Sequence, residues 1–119
     1  MLASMHTVVF TPIFLAQVKR SGISGDDLND IATTVSSDPQ GGDLMAGTGG
    51  ARKMRHAGRG RGKSGGYRTI HYWGGDDVPV FLLAMYGKGE KSNLTKGERN
   101  ELASILPRIA KAYRKEDAT

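Results

Sequence analysis

Apolar positions along the chain fall into short blocks, and their spacing switches between the two-residue period of a strand and the three-to-four-residue period of a helix. Thr7–Phe10 (TVVF) is a β-branched run that reads as a first strand. Thr11-Pro12 comes next as an N-cap with proline at the first helical position. Ile13, Phe14, Ala16 and Val18, closed by Lys19-Arg20, then form a short helix that Gly22 stops. Ser24 with Asp27 three residues on is a second capping signal. Leu28, Ile31, Ala32 and Val35 stand at i, i+3, i+4 and i+7, one face of an amphipathic helix that Pro39 ends. The two helices read as a hairpin.

Gln40–Gly50 is a glycine-rich loop. Ala51–Ala57 (ARKMRHA) is a strand with Lys53 and Arg55 on one face and Arg52, Met54 and His56 on the other. Gly58–Gly66 is a basic, glycine-rich connection, Tyr67–Trp73 (YRTIHYW) a strand dense in aromatic and β-branched residues, and Gly74–Asp77 a turn. Val78–Tyr86 (VPVFLLAMY) is apolar throughout, as a central strand covered on both faces would be, with Pro79 tolerable near its start. Thr95-Lys96-Gly97-Glu98 is a capping box opening the last helix, whose apolar face is Leu102, Ile105, Leu106, Ile109 and Tyr113. Pro107 is expected to kink that helix or split it, and the tail after Arg114 to fray. The order β-α-α-β-β-β-α predicts an α+β fold, a small mostly antiparallel sheet packed against helices. One core between two layers is expected, in a single domain over residues 1–119.

Composition narrows the chemistry. The 119 residues hold no cysteine, which removes disulfides, thiolate metal sites and thiol catalysis, and fits a reducing cytoplasm. The apolar stretch in MLASMHTVVFTPIFLA lacks a basic flank and is interrupted by Pro12, so it reads as folded structure rather than a signal peptide. No apolar run is long enough to span a membrane. The net charge of +5 is concentrated: between Asp43 and Asp76 there is no acidic residue, while Arg52, Lys53, Arg55, Arg59, Arg61, Lys63 and Arg68 all lie there. Those seven cations exceed the whole net charge, so the basicity belongs to one segment. A segregated basic block predicts a polyanionic partner, nucleic acid or an acidic protein.

Two nucleotide-binding patterns fail on context. Ala57–Ser64 fits a loose Walker A pattern and Gly60–Gly65 a G-x-G-x-x-G, but both need a helix directly after the loop, its N-terminus facing the phosphates. The loop leads instead into the period-2 strand Tyr67–Trp73. It is better read as basic and phosphate-seeking. Asn93-Leu94-Thr95 matches a glycosylation sequon by chance. His6, His56 and His71 are not spaced as a metal set, no acidic residue stands near the last two, and both read as packed sheet residues before catalytic bases. No metal and no cofactor is expected.

There remains a cationic group on adjacent strands: Lys53, Arg55, Arg68 and the stretch Tyr86-Gly87-Lys88-Gly89-Glu90-Lys91. A cationic floor with few carboxylates suits phosphate chemistry on RNA, where a 2′-hydroxyl can attack the adjacent phosphorus. The protein then has to position the strand and neutralise charge on the phosphorane. Arginine does so through its fork of donors and lysine as a mobile point charge. A plain RNA-binding face without chemistry is the alternative, and residue types leave both open.

Three segments in order, Gly47-Thr48-Gly49-Gly50-Ala51-Arg52-Lys53-Met54-Arg55, Gly60-Arg61-Gly62-Lys63-Ser64-Gly65-Gly66-Tyr67-Arg68-Thr69-Ile70-His71-Tyr72 and Val80 through Thr95, resemble the RelE/HigB family, toxins of bacterial type II toxin–antitoxin pairs. The resemblance implies a RelE-like α+β fold and metal-independent cleavage of translated mRNA on the ribosome. It implies a cognate antitoxin as partner, in the HigB branch a HigA-like helix-turn-helix repressor, with operator DNA reached only through it. By position the basic pair on the second strand becomes Lys53 and Arg55, the strand arginine Arg68, and the basic residue ending the central strand Lys88. Lys91 joins them in the expected catalytic set as a stand-in for a missing group, and Arg52, Arg59, Arg61, Lys63 and Tyr86 are expected RNA and ribosome contacts. Gly89 stands where many members carry a further arginine, and Leu94-Thr95 where a tyrosine is found. Glu90, Lys91, Tyr86 and His71 are the candidates for the vacant acid/base role. A non-catalytic RNA-binding module and a ParE-type gyrase inhibitor share this fold; the basic face suits RNA better than a protein target.

Overall fold

A computed structural model describes residues 6–57, 66–87, 89–91 and 93–117. The chain runs β1 (Val8–Phe10), α1 (Pro12–Ser21), α2 (Gly25–Ser37), β2 (Asp43–Leu44), β3 (Arg52–His56), β4 (Tyr67–Trp73), β5 (Val80–Gly87) and α3 (Lys96–Asp117). The sheet order is β1-β5-β4-β3-β2, with β1 parallel to β5 and the other pairs antiparallel. This is the expected α+β fold with a mostly antiparallel sheet. It has one strand more than expected: Asp43–Leu44, inside the supposed loop, pairs with Lys53 and Arg52. Two residues between glycines give no legible period. β5 starts at Val80, so Pro79 precedes the strand and removes no ladder hydrogen bond from it.

The capping signals act as expected. Thr11 accepts from the Phe14 N–H with Pro12 at the helix start, and Gly22 closes α1 in the left-handed conformation at φ 71°. Ser24 accepts from the Asp27 N–H at the start of α2. Thr95 and Glu98 exchange backbone and side-chain bonds at 2.8 and 3.1 Å, the reciprocal box that opens α3. Pro107 does not split α3, which runs unbroken through it. Leu106 and Ala110, fully buried on either side of the proline, hold the helix to the sheet across the missing N–H.

Both faces of the sheet are covered, so the core is double where one was expected. On one face Phe14 of α1 and Ile31 and Val35 of α2 pack on Met54, Val80, Leu82 and Met85. On the other, Leu106 and Ala110 of α3 pack on Ile70, Tyr72, Phe81 and Ala84. Which β5 residue faces which core depends on a bulge. Ile70 pairs with Ala84 but His71 with Leu82, so Leu83 has no partner. The extra residue shifts the alternation and brings Ala84 and Tyr86 to the α3 face alongside Phe81.

The segment Gly47-Thr48-Gly49-Gly50 docks α3. Thr48 is fully buried, donates to the Met45 carbonyl at 2.7 Å and accepts from the Ala51 N–H at 3.0 Å. The turn it ties lies against α3: Arg99 donates to the Ala46 carbonyl at 2.7 Å, and a Cβ at Gly49 would sit 3.1 Å from the Ala103 Cα. Gly49 and Gly47 both have positive φ, at 79° and 76°, but nothing lies within 4 Å of a Cβ at Gly47. The pair separates backbone strain from close approach. Gly47→Ala should cost about 1 kcal/mol from the left-handed backbone alone. Gly49→Ala should cost about 2–4 kcal/mol, because overpacking against α3 adds to the strain. Chemical denaturation of the two variants measures the difference, and equal losses would show that α3 does not press on this turn.

Candidate nucleic-acid interface

α3 covers the Tyr72–Phe81 end of its sheet face and leaves the other end open. At the uncovered end the strand chemistry turns from apolar to basic within two residues: Ile70 is buried under α3, and Arg68, next on the same face, is half-exposed. The ladder registers align Arg55 of β3, Arg68 of β4 and Tyr86 of β5 as one row across three strands. The next row holds Asp43, Lys53, Ile70 and Ala84. Like charges set directly opposite repel. Among the described residues no carboxylate forms an ion pair with Arg55 or Arg68.

These rows floor a groove of about 720 Å³ lined by Lys53, Arg55, Arg68, Lys91, Asp43, Glu90 and Asn93 together with Gly42 and Met54. Four of the five residues expected to be catalytic are thus brought together. The fifth, Lys88, lies outside the described residues, as do Arg59, Arg61 and Lys63. Tyr86 and Lys91 continue into a neighbouring hollow of about 610 Å³ that reaches Gln17 and Arg20 on α1. Burial pushes the Tyr86 phenol up, with Glu98 and Glu90 acting the same way and a hydrogen bond from Gln17 opposing. Arg52 is not part of the groove; its register partner is His71, and it points to the α1/α2 side with the other even-numbered residues of β3.

Two groove residues had no sequence signal. Asp43 was hidden by reading Gln40–Gly50 as a loop, whereas its place opposite Lys53 is fixed once that segment pairs. Asn93, read only as part of a chance sequon, accepts a 3.0 Å hydrogen bond from Lys53 Nζ and fixes that ammonium at the groove wall.

The histidines lie on the opposite face. His71 is fully buried and its Nε2 sits 2.8 Å from the Pro39 carbonyl. A carbonyl only accepts, so Nε2 carries the proton and Nδ1 is a buried acceptor with no partner. Burial lowers the His71 pKa, Arg52 lowers it further, and the Pro39 bond and Asp38 oppose them. His56, bonded to Thr69 Oγ1 at 2.8 Å, is lowered to about 4 by burial and by His71. His71 is therefore packing, not the acid/base of the groove. Among the described residues no cluster of three or more histidines or carboxylates is placed to hold a metal ion. No helix among them is long and apolar enough to cross a membrane.

Both histidines fold in the neutral form with depressed pKa values, so below the unfolded value of 6.5 the unfolded chain binds more protons than the folded one. Their contribution to stability is complete above that value and is lost as the pH falls toward about 4. The melting temperature should therefore fall between pH 6.5 and 4, and His56→Gln should flatten part of that slope. A melting temperature constant over that window would contradict the buried neutral assignment.

A family model described as the RelE toxin of the RelE/RelB toxin–antitoxin system matches residues 7–118. Among solved structures, a double arginine-to-alanine mutant of the E. coli toxin RelE in the free state aligns with a TM-score of 0.53 at 15% identity. The alignment covers 86% of this chain and 97% of that one. At that identity the likeness is one of fold.

Proposed function

The chain belongs to the RelE toxin family of toxin–antitoxin systems, and from that premise we propose that it is a ribosome-dependent endoribonuclease cutting translated mRNA. The observation that carries the reading is the Arg55–Arg68 pair, two guanidiniums facing each other across adjacent strands with no carboxylate bonded to either among the described residues. An RNA phosphate between them would relieve the repulsion and receive up to two bidentate contacts. Arg68, flanked on β4 by Tyr67 and Thr69, is set by the strand rather than by a loop. It holds the scissile phosphate and stabilises the charge gained on attack. Arg55 shares that charge, and Lys53, steered by Asn93, contacts the phosphate from the next row. Lys91 on the groove wall, and Lys88 by its family position, complete the catalytic set. In the reaction we propose the lysines and arginines hold the phosphate and stabilise its charge, without a metal.

Tyr86, at the end of the guanidinium row, offers a ring for a base to stack on. Arg59, Arg61 and Lys63 would contact ribosomal or messenger phosphates, and Arg52 would do so from the opposite face. The partner in this reading is a HigA-like helix-turn-helix antitoxin, through which operator DNA is engaged. The site of action is the cytoplasm, where the ribosome is.

Expression of the chain alone in a heterologous bacterium should arrest growth, and mapping of mRNA 5′ ends should find cuts inside translated codons. Co-expression of the antitoxin should restore growth. Arrest without cuts would leave a ribosome-binding module, and altered plasmid supercoiling would indicate a gyrase poison instead.

The residue test is Arg68. Arg68→Ala and Arg68→Lys should both fold with melting temperatures close to the parent and lose about a hundred-fold or more in cleavage rate. Lysine should rescue poorly because it lacks the fork. Ribosome binding should fall much less than cleavage. A folded Arg68→Ala protein that cuts at the parental rate would remove Arg68 from the chemistry.

A further inference from the structure

Phosphate-holding cations do not by themselves explain how a 2′-hydroxyl loses its proton. The groove has two carboxylates, and the structure treats them differently. Asp43 stands on the two-residue edge strand β2, opposite Lys53. Glu90 is folded back onto the end of β5 by a reciprocal clasp: its N–H donates to the Gly87 carbonyl at 3.1 Å, and the Gly87 N–H donates to its Oε1 at 2.7 Å. A side chain at Gly87 would crowd that oxygen, since a Cβ there would lie 3.2 Å from it. One carboxylate oxygen is therefore pinned by the main chain and no described residue bonds the other. Glu90 also lines both the groove and the hollow beside Tyr86, so it stands at their junction.

The charged and titratable groups around it come from every neighbouring element. Arg68 and Arg55 lie on the floor, Lys53 and Asp43 in the next row, and Lys91 beside it on the same turn. Tyr86 and Arg20 line the adjoining hollow.

We propose that Glu90 is the general base of the cleavage. The assignment rests on the endoribonuclease reading above. The Glu90 oxygen that no described residue bonds takes the proton of the 2′-hydroxyl as the 2′-oxygen forms its bond to phosphorus. The bond from phosphorus to the 5′-oxygen breaks, and the leaving oxygen takes a proton from a groove lysine. The products are a 2′,3′-cyclic phosphate and a 5′-hydroxyl end; the glutamic acid then releases its proton to solvent and the neutral lysine takes one up. The chemistry needs no oxidant, reductant or further reactant.

The test uses the full chain on programmed ribosomes. Glu90→Gln keeps an oxygen that can accept from the Gly87 N–H, so it preserves the clasp and removes only the base. It should melt with the parent, bind ribosomes carrying a 2′-deoxy codon as the parent does, and cut about a hundred-fold or more slowly. Glu90→Asp, with the carboxylate on a shorter stem, should keep more activity than Glu90→Gln. Replacing the bridging 5′-oxygen of the message by sulfur gives a leaving group that needs no proton. That substrate should restore Lys91→Ala if Lys91 is the acid, but should leave the Glu90→Gln defect in place. Parental cleavage by Glu90→Gln, an Asp variant slower than the Gln one, or rescue of Glu90→Gln by the sulfur substrate would each overturn the assignment while leaving the nuclease reading intact. Absence of cleavage by the parent would instead overturn the nuclease reading and this proposal with it.

Discussion

One unpaired residue in the β4–β5 ladder decides what each face of this protein is for. Without the bulge at Leu83, strict alternation would put Tyr86 on the same side as Val80 and Leu82, under α1 and α2. With it, Phe81, Ala84 and Tyr86 share the face that α3 packs on. The row Arg55–Arg68–Tyr86 exists because of that shift. A bulge re-aims side chains at modest cost, since only one residue leaves the ladder. Here the cost is contained because Leu83 stays half-buried and its carbonyl is approached by the Thr11 hydroxyl at the start of α1.

The second constraint is that α3 covers half of that face and no more. Its docking is anchored away from the groove: Arg114 bonds Asp77 and the Gly74 carbonyl at 2.6 Å at one end, and Arg99 reaches the Ala46 carbonyl near the other. The Gly47–Gly50 turn lets the backbone of that loop come close enough for α3 to seat. The covered half supplies an apolar foundation of Ile70, Tyr72, Phe81 and Ala84, and the same strands run on into the open half carrying Lys53, Arg55 and Arg68. Rigid strands thus hold cations in a geometry that flexible loops could not maintain. The opposite face buries its polar groups differently. There His71 and His56 find hydrogen-bond partners and stay neutral, so packing histidines lie on one face and the groove cations on the other.

Most of this was legible in the chain because it rests on local rules. Helix starts at Thr11, Ser24 and Thr95 arise from side-chain oxygens that satisfy end N–H groups. The alternation in ARKMRHA separates Lys53 and Arg55 from Arg52 correctly. The illegible part depends on pairing across distance. A two-residue strand at Asp43–Leu44 has no period of its own, and the Leu83 bulge is defined only against β4. The uninterrupted apolar run VFLLAMY gives no sign of which residue is the extra one. Coverage of the sheet on both faces was implied by that same run, yet the expectation of a single core did not carry it through. Of the two outcomes expected at Pro107, a kink or a split, the split does not occur, with buried neighbours on both sides of the proline. Among groove residues, Asn93 carries no signal in sequence because its role is to meet Lys53, forty positions away.

A groove built this way is left electrostatically incomplete. Arg55 and Arg68 stand opposite each other, and neither carboxylate of the groove lining bonds them among the described residues: Asp43 stands across from Lys53, and one oxygen of Glu90 is clasped by the Gly87 N–H. Neutralising the arginines internally would have been easy, by a glutamate at any of several groove positions, and would have stabilised the fold. That no described residue bonds their guanidiniums is a local sacrifice of stability of the kind that binding sites retain. The repulsion is tolerable because the groove is open to water, where charges a few ångströms apart interact by only about 1 kcal/mol. It becomes a driving force when a polyanion excludes that water. The same arrangement then favours whichever polyanion arrives, an RNA phosphate or an acidic segment of a partner protein. On the proposed reading, an acidic segment of a partner could fill the groove without any change in the fold around it.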